Sequence, residues 1–377
     1  MRALRSLPEK TPLDIWIPDL APKHYLRVAN GILDLDSSVL RPHSPNWLSL
    51  VSLPVAYDPD SSPPKKWLKF LTEVQEGDQA RIDLLQEISG CCLDRQLVPD
   101  WFAFLTGDGD NGKSAFLRVL KFILGDRNCS SVNLFDLANG GNRFARFDLF
   151  GKLANLKGDQ SYFESEEESA LKELTGGDLV AFENKYQSPI YAVNTAKLVF
   201  ACNQLPTFKD KTRGIWRRFV PVPFNWIVPA ELRNAQLDTT AYWREELPGI
   251  LNWMLEGLRR YRGRGENFAI PQVCRDLIDQ HKQDSNPAAE FLLNHYSFTG
   301  SANDVVTSKE LFEDYRNWCL RNNVNRPLRN SVFGREVVRA FPKSSPIRTT
   351  PSGGGEVRGR TGIRRVSSIA VGPFAPS

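Results

Sequence analysis

Residues 104–122 of the chain read FLTGDGDNGKSAFLRVLKF, a stretch that contains the pattern G-x-x-x-x-G-K-[ST]. The apolar run WFAFLT leads into it and the periodic segment SAFLRVLKFI follows, which predicts a strand, a loop and a helix. In such a loop, glycines let backbone N–H groups converge on phosphate, and the helix start adds a positive end. We therefore expect a nucleotide site. Its binding residues are expected to be Gly107, Asp108, Gly109, Asp110, Asn111, Gly112, Lys113, Ser114 and Ala115.

Three polar residues are expected to serve ATP hydrolysis directly. Lys113 is expected to contact the β- and γ-phosphates of ATP, and the Ser114 hydroxyl is expected to ligate Mg²⁺. Asp159 ends the apolar run KLANLKGD and is expected to hold the Mg²⁺ shell or to help activate water. The alternative for Asp159 is an aspartate that merely begins a turn after a strand.

Further candidate residues flank two apolar runs downstream. Asn203 comes directly after KLVFAC, where its amide is placed to orient the attacking water; a loop-forming asparagine is the alternative. Arg217 and Arg218 stand just before the apolar run FVPVPF. A guanidinium there is expected to reach the phosphates of a neighbouring subunit as an arginine finger, and a salt-bridged structural arginine is the alternative.

Composition narrows the class of protein. With 377 residues, 41% hydrophobic and 24% charged, the chain is typical of a globular protein of two or three domains. The N-terminus lacks the apolar segment of a signal peptide, and no apolar run approaches the length of a membrane span. Six cysteines without CxxC spacing indicate reduced thiols. A cytoplasmic protein without a membrane partner is therefore expected.

The expected fold class is α/β, with a P-loop NTPase core between two smaller parts. The dipeptide Asn30-Gly31 lies between apolar runs and predicts a hairpin near the N-terminus. The expected domains are an N-terminal region of hairpin and helices at 1–98, the ATPase core at 99–275, a linker running through a short helix at 276–306 and a basic DNA-binding domain at 307–377.

The C-terminal domain is predicted to be a winged helix. TSKELFEDYRNWCLRNN and RNSVFGREVVRAF read as helices, and strand-like SPIRTT and IRRVSSIAV follow, joined by glycine-rich PSGGGEVRGRTG. From residue 326 onward ten Arg or Lys face two Glu, which favours a polyanionic partner; a solvated charged face is the alternative. Many small α+β domains share this order of elements. The expected DNA contacts are Arg329, Arg335, Arg339, Arg358 and Arg360.

The order of the motifs resembles that of superfamily 3 helicases, in particular the phage/plasmid primase family related to poxvirus primase-helicases. GDGDNGKS resembles the Walker A motif of that family, LANLKGD its Walker B motif and KLVFACNQLP its sensor segment. GIWRRFVPVPF resembles the arginine-finger strand, and ELPGILNWMLEGL the lid helix. NGILDL, LPVAYDPD and WLKFL resemble the region before the helicase. The resemblance covers most of the chain.

The resemblance implies an AAA+-like core that works as a ring, most often a hexamer. Arg218 matches the finger position best and Arg217 second. The segment 180–193 matches a hairpin that enters a central DNA channel, where Lys185 would contact phosphate and Tyr186 would stack on a base; a surface hairpin without a DNA role is the alternative. A primase module is not apparent, which implies that priming is supplied by a separate partner or lost.

These expectations lead to an ATP-dependent DNA helicase that binds single- and double-stranded DNA. It would act in replication of a phage, plasmid or integrated element, in a bacterial cell or a virus-infected host. One departure from the family concerns the water-activating base, because Asp159 is flanked by Gly158 and Gln160 rather than by a second acid. Two alternatives stay open: a DNA-binding initiator that ATP switches without unwinding, and a non-catalytic remnant of a mobile element.

Overall fold

A computed structural model describes residues 24–366, apart from 45–46, 48, 139, 161–163, 166–168, 209–212, 285, 323, 325–326 and 350–356. The chain forms two compact units, Met1–Ile278 and Asp279–Ser377. None of the helices within those described ranges is long and apolar enough to cross a membrane.

The first unit combines strands and helices in alternation. Its strands are β1 (Tyr25–Val28), β2 (Gly31–Asp34), β3 (Leu40–Arg41), β4 (Phe102–Thr106), β5 (Cys129–Ser130), β6 (Ala154–Gln160), β7 (Glu164–Ser165), β8 (Leu179–Phe182), β9 (Ile190–Val193), β10 (Lys197–Cys202), β11 (Thr207–Phe208) and β12 (Phe219–Pro223). Its helices are α1 (Lys65–Val74), α2 (Gln79–Cys91), α3 (Lys113–Leu124), α4 (Leu134–Ala138), α5 (Ser169–Leu174), α6 (Arg213–Trp216), α7 (Thr240–Trp243), α8 (Leu247–Gly263) and α9 (Gln272–Asp284), the last of which contains the boundary to the second unit.

A five-stranded parallel sheet forms the centre of the first unit, in the order β12-β4-β10-β6-β5. Strands β4, β10 and β12 are buried along their whole length, as expected for a parallel sheet covered on both faces. Successive residues of β4 confirm this, because Phe102 and Phe104 belong to one apolar cluster and Ala103 and Leu105 to another. The prediction of an α/β fold with strand β4, a loop and helix α3 is therefore confirmed.

The N-terminal part of the chain packs into the same core. Strands β1 and β2 pair antiparallel around Asn30-Gly31, as predicted. Trp67 of α1 and Leu85 of α2 lie in the apolar cluster that also contains residues of α3 and α8. Helices α2 and α8 approach so closely that a β-carbon on Gly257 would lie 2.2 Å from the Gln86 carbonyl oxygen. The expected boundary at residue 98 thus does not separate two compact units.

The second unit contains α10 (Pro287–His295), β13 (Tyr296–Phe298), β14 (Val305–Thr307), α11 (Ser308–Arg321), α12 (Asn330–Ala340), β15 (Ser345–Thr349), β16 (Val357–Thr361) and β17 (Ile363–Arg365). Strands β14, β16 and β15 form an antiparallel sheet in that order, and β13 pairs with β17. Helix α11 begins with a capping box in which Thr307 and Glu310 bond reciprocally. The two predicted helices are confirmed; the winged-helix assignment stays a prediction.

The segment 276–306 contains the short helix expected within it, α10, whose Phe291 and Leu292 lie in the core of the second unit. One expectation for this region needs correction. The partner of β15 is β16, which lies within the segment expected to be a glycine-rich connection. Alternation of Val357, Gly359 and Thr361 with arginines gives that segment a strand pattern which the glycines obscured.

Candidate functional site

A cavity of about 900 Å³ lies at the carboxyl edge of the parallel sheet. Its walls come from the loop between β4 and α3, the ends of β6 and β10, helix α1 and the segment 226–242. Lys113, Ser114, Asp159 and Asn203 all line it. Because parallel strands end at one edge, residues far apart in sequence meet there. The volume lies in the range of small-ligand sites in proteins.

The loop between β4 and α3 follows a backbone path that favours glycine. Gly107 has φ 151°, Gly112 has φ 89°, and Asp110 between them has φ 59°. Side-chain and backbone bonds then fix the loop, since Asn111 Nδ2 donates to the Phe224 carbonyl at 2.9 Å. The Val228 amide also donates to the Asp110 carbonyl at 2.8 Å. The loop is therefore held open toward the cavity by the chain that follows β12.

Lys113 lies at the first position of α3 and points back over the loop. Its Nζ donates to the carbonyl oxygens of Gly107 and Asp108 and, at 2.8 Å, to Asn111 Oδ1. Burial lowers the pKa of Lys113, and the negative charge of Asp108 and Asp159 opposes that shift. The loop oxygens thus hold the ammonium group in the position where a phosphate would meet it.

Asp159 reaches the cavity through an irregularity in the sheet. The parallel pairing of β10 with β6 shifts between Phe200 and Cys202, so β6 carries an extra residue there. Asp159 itself adopts φ 52°, a conformation that non-glycine residues rarely take and that is concentrated at functional sites. The bulge turns an exposed carboxylate into the cavity, a role that bulges near active sites often have.

The donor groups fit a magnesium ion that is shared with phosphate. Mg²⁺ in such sites takes one or two carboxylates or hydroxyls from the protein and completes its shell with phosphate oxygens and water. Ser114 and Asp159 supply a hydroxyl and a carboxylate on the same cavity. Within the described part of the chain, no cluster of three or more His, Cys, Asp or Glu is placed to hold a metal by protein ligands alone.

Several lining residues come from outside the predicted motifs. Helix α1 contributes Lys66, Lys69 and Glu73, and the segment after β12 contributes Arg233 and Tyr242. No spacing in the sequence links these residues to the phosphate loop, because only the packing of the N-terminal helices against the core brings them near. Helix α8, expected to be the lid, packs on α2 and contributes no residue to the described lining of the cavity.

The two finger candidates lie at the opposite edge of the sheet from the cavity. Arg218 precedes β12, and its carbonyl accepts a bond from the Phe102 amide at the start of β4. Its guanidinium donates to the carbonyls of Thr175 and Gly214, at 3.2 and 2.8 Å. Burial lowers the pKa of Arg218, and the charge of Arg217 adds to this. Arg217 is exposed.

Strands β8 and β9 form the hairpin expected at 180–193. At its tip, Tyr186 is fully exposed and has φ 61°, and Lys185 is exposed with its Nζ 5.8 Å from the centre of the Phe144 ring. An exposed tyrosine held in a strained backbone conformation is unusual. The predicted hairpin is therefore present with both candidate side chains at its tip.

The five arginines expected to bind DNA differ in their surroundings. Arg329, Arg335 and Arg358 are exposed, and Arg339 is exposed and paired with Glu336 at 2.9 Å. Arg360 differs, because its guanidinium donates to the hydroxyl and carbonyl oxygens of Ser344. Burial lowers the pKa of Arg360. This arginine supports the fold of the second unit rather than standing free on its surface.

Comparisons with known proteins agree with the motif order. Residues 7–76 match a family model described as "D5 N terminal like", and residues 105–218 match a "Family of unknown function (DUF5906)". "Putative helicase L207/L206" of Acanthamoeba polyphaga mimivirus is 26% identical over 338 residues, which covers 81% of this chain and 34% of that protein. "Putative primase C962R" of African swine fever virus (strain Badajoz 1971 Vero-adapted) is 22% identical over 86% of this chain and 37% of its own length.

The apo structure of the NrS-1 C-terminal region (305–718) has a similar fold, with a TM-score of 0.55 and 14% identity over 81% of this chain and 77% of that one. The likeness shows that the two proteins share a mixed α/β fold, which in this chain contains the parallel sheet described above. In these matches the chain is similar to D5-like primase-helicases. It spans about a third of the length of the curated relatives that it matches.

Proposed function

We propose that the chain is an ATP-dependent DNA helicase with an AAA+-like core that acts in replication of a phage, plasmid or integrated element. The observation that carries the proposal is the meeting of Lys113, Ser114, Asp159 and Asn203 on one cavity. Lys113 and Ser114 come from one loop, whereas Asp159 and Asn203 come from two other parts of the sequence. Each of the four has a chemistry that nucleotide hydrolysis needs. Viral relatives called helicases add support.

In this proposal the side chains divide the work of hydrolysis. Lys113 contacts the β- and γ-phosphates, and the amide of Asn203 orients the attacking water. Ser114 and Asp159 would hold Mg²⁺, which neutralises charge on the phosphates when bound. Asp159 is the carboxylate beside the expected water position, so it is also our candidate for accepting the water proton.

The arginine finger is proposed to act between subunits. Arg217 and Arg218 precede β12, which with its five residues spans about 16 Å and separates them from the cavity of their own chain. A neighbour in a ring, proposed to be a hexamer, would bring them to a second nucleotide. Since Arg218 already binds two carbonyls of its own chain, exposed Arg217 is the better candidate.

DNA is proposed to bind at two places. The tip of the β8–β9 hairpin offers Lys185 for phosphate and Tyr186 for stacking on a base of single-stranded DNA. The second unit, proposed to be a winged helix, offers three exposed arginines for duplex phosphates: Arg329 at the N-cap of α12, Arg335 within α12 and Arg358 of β16.

Steady-state ATP hydrolysis with and without single-stranded DNA tests this function, with Lys113→Ala as the inactive control. We expect hydrolysis that DNA stimulates and the substitution abolishes, followed by strand displacement on a forked duplex. Lys113-dependent hydrolysis without strand displacement would replace the helicase by the ATP-switched initiator. DNA binding without any hydrolysis would leave a non-catalytic scaffold.

A further inference from the structure

Arg233 forms an ion pair with a residue of the phosphate loop. It directly follows the 3-10 turn Ala230–Leu232, and its Nη2 lies 2.9 Å from Asp110 Oδ2. Both residues line the cavity. Arg233 belongs to none of the sequence motifs. Its guanidinium is therefore a cation of the same chain, directly beside the loop that would cradle phosphates.

The ion pair is not what fastens this segment to the loop. The Val228 amide and the Asp110 carbonyl already join the two backbones, and Asn111 holds the Phe224 carbonyl. The side chains of Arg233 and Asp110 are 49% and 60% exposed, and ion pairs at such exposed positions add little to stability. The pair can therefore open while the loop stays in place.

The charge balance of the cavity gives the pair a consequence for ligand binding. The described lining holds four carboxylates and four cations. The cations are Lys66, Lys69, Lys113 and Arg233. Such a lining offers a polyphosphate no excess of positive charge. A phosphate that displaced the Asp110 carboxylate would gain a guanidinium, which binds phosphate oxygens through paired N–H groups.

We propose that Arg233 binds a phosphate group of the nucleotide in its own subunit. Before nucleotide binds, the Asp110 carboxylate occupies the guanidinium as its ionic partner. The carboxylate of Asp110 competes with the polyphosphate for the same guanidinium. Nucleotide binding exchanges one anionic partner of Arg233 for another. This inference rests on the proposed nucleotide site and adds to it an internal competitor.

The test measures equilibrium binding of a fluorescent ATP analogue with Mg²⁺ to the full chain. We expect Arg233→Ala to weaken binding by about tenfold, since it removes a charged hydrogen bond. We expect Asp110→Asn to tighten binding, because it frees Arg233, and asparagine tolerates the φ of 59° at this position. Asp110→Asn should give a smaller gain in the Arg233→Ala background than in the wild type.

Arg118→Ala is the matched control. Arg118 pairs with Asp238, so it too anchors the segment after β12, but it is not among the described lining residues. We expect it to weaken binding far less than tenfold, because the Asp238 carboxylate that it leaves unpaired is more than half exposed to solvent. A loss equal to that of Arg233→Ala would mean that both arginines act only by anchoring the segment, and it would overturn the inference.

Two further results separate the inference from the proposed function. Binding that depends on Lys113 but is unaffected by Arg233→Ala, or a loss with Asp110→Asn as large as that with Arg233→Ala, overturns the inference alone. Absence of nucleotide binding in the folded wild type overturns both.

Discussion

The carbonyl oxygen of Phe224 stands 2.1 Å from the point where a β-carbon on Gly107 would lie. Gly107 also has φ 151°, which L side chains rarely adopt. Glycine is thus required at position 107 by the chain that crosses the loop after β12.

Gly107→Ala is therefore expected to destabilise the first unit by at least about 2 kcal/mol, because it combines strained backbone with a clash against backbone. Nucleotide affinity should fall with it. Gly109→Ala is the control on the same loop, since a β-carbon there meets no atom within 4 Å. Urea unfolding and nucleotide titration of both variants check the prediction, and equal stability of the two would contradict it.

The lowered pKa of Asp94 predicts that the folded protein becomes less stable in acid. Burial raises the pKa of its carboxyl, but the charges of Lys197, Arg262 and His24 outweigh burial and lower the pKa. A group whose pKa is depressed on folding stabilises the protein above its unfolded pKa of about 3.9, and this contribution is lost as the pH falls through the folded value. The free energy of unfolding should therefore decrease as the pH drops below about 4.

Asp94→Asn tests this prediction. The variant leaves buried cations without their counter-charge and should cost about 3 kcal/mol at neutral pH. The deficit should begin to shrink as the pH falls below about 4, because the carboxyl of the unfolded wild type then binds a proton. Urea unfolding of both proteins between pH 3 and pH 7 measures it, and a deficit that stays constant across this range would be evidence against the linkage.

Arg217 and Arg218 should behave differently when replaced by alanine. Arg218→Ala loses bonds to the carbonyls of Thr175 and Gly214 and is expected to lower stability by about 2 kcal/mol. Arg217→Ala should leave stability within about 0.5 kcal/mol, because its side chain is exposed. Hydrolysis by Arg217→Ala should fall by about 10³-fold or more if it is the finger.

Mixing experiments show whether the finger acts between subunits. Arg217→Ala chains mixed with Lys113→Ala chains should recover part of the hydrolysis rate, since one variant keeps an intact cavity and the other an intact finger. No recovery in mixtures that form rings would mean that Arg217 does not act in trans.

The tip of the β8–β9 hairpin should control affinity for single-stranded DNA. Tyr186→Ala is expected to weaken binding by about 1–3 kcal/mol, and Tyr186→Phe should keep most of the affinity because a ring still stacks. Lys185→Ala should reduce the slope of log affinity against log salt concentration by about one, the contribution of a single phosphate contact. Ser188→Ala, at an exposed neighbouring position, is the control for all three. Fluorescence anisotropy at several salt concentrations measures these effects; equal affinities for Tyr186→Ala and Ser188→Ala would exclude stacking.

Alanine substitutions at Arg358 and Arg360 should have separate effects on DNA binding and on the stability of the second unit. Arg360→Ala removes the bonds to Ser344 and should lower the melting temperature, while Arg358→Ala should leave it unchanged. Duplex affinity should instead fall with Arg358→Ala, with a reduced salt slope. Thermal unfolding and titration with duplex DNA measure the melting temperature and the affinity of each variant. If both variants lowered both quantities alike, the two arginines would not have separate roles in folding and DNA binding.

The sequence by itself determined the loop between β4 and α3, its flanking strand and helix, the N-terminal hairpin and the two helices α11 and α12 near the C-terminus. These features obey local rules: glycine spacing, apolar periodicity and turn residues act over a few positions in the chain. The same rules placed Asp159 and Asn203 at the ends of buried strands, and parallel strands bring such ends to one edge.

Only the tertiary structure decided which other residues line the cavity together with Asp159 and Asn203. Lys66 and Arg233 reach the cavity because α1 and the chain after β12 fold over it, a matter of contacts between segments far apart in sequence. The bulge that turns Asp159 into the cavity arises from a shift in pairing between β6 and β10. Arg358 and Arg360 read alike in the sequence, and only Ser344 distinguishes them, because a hydrogen bond depends on where its partner lies in space.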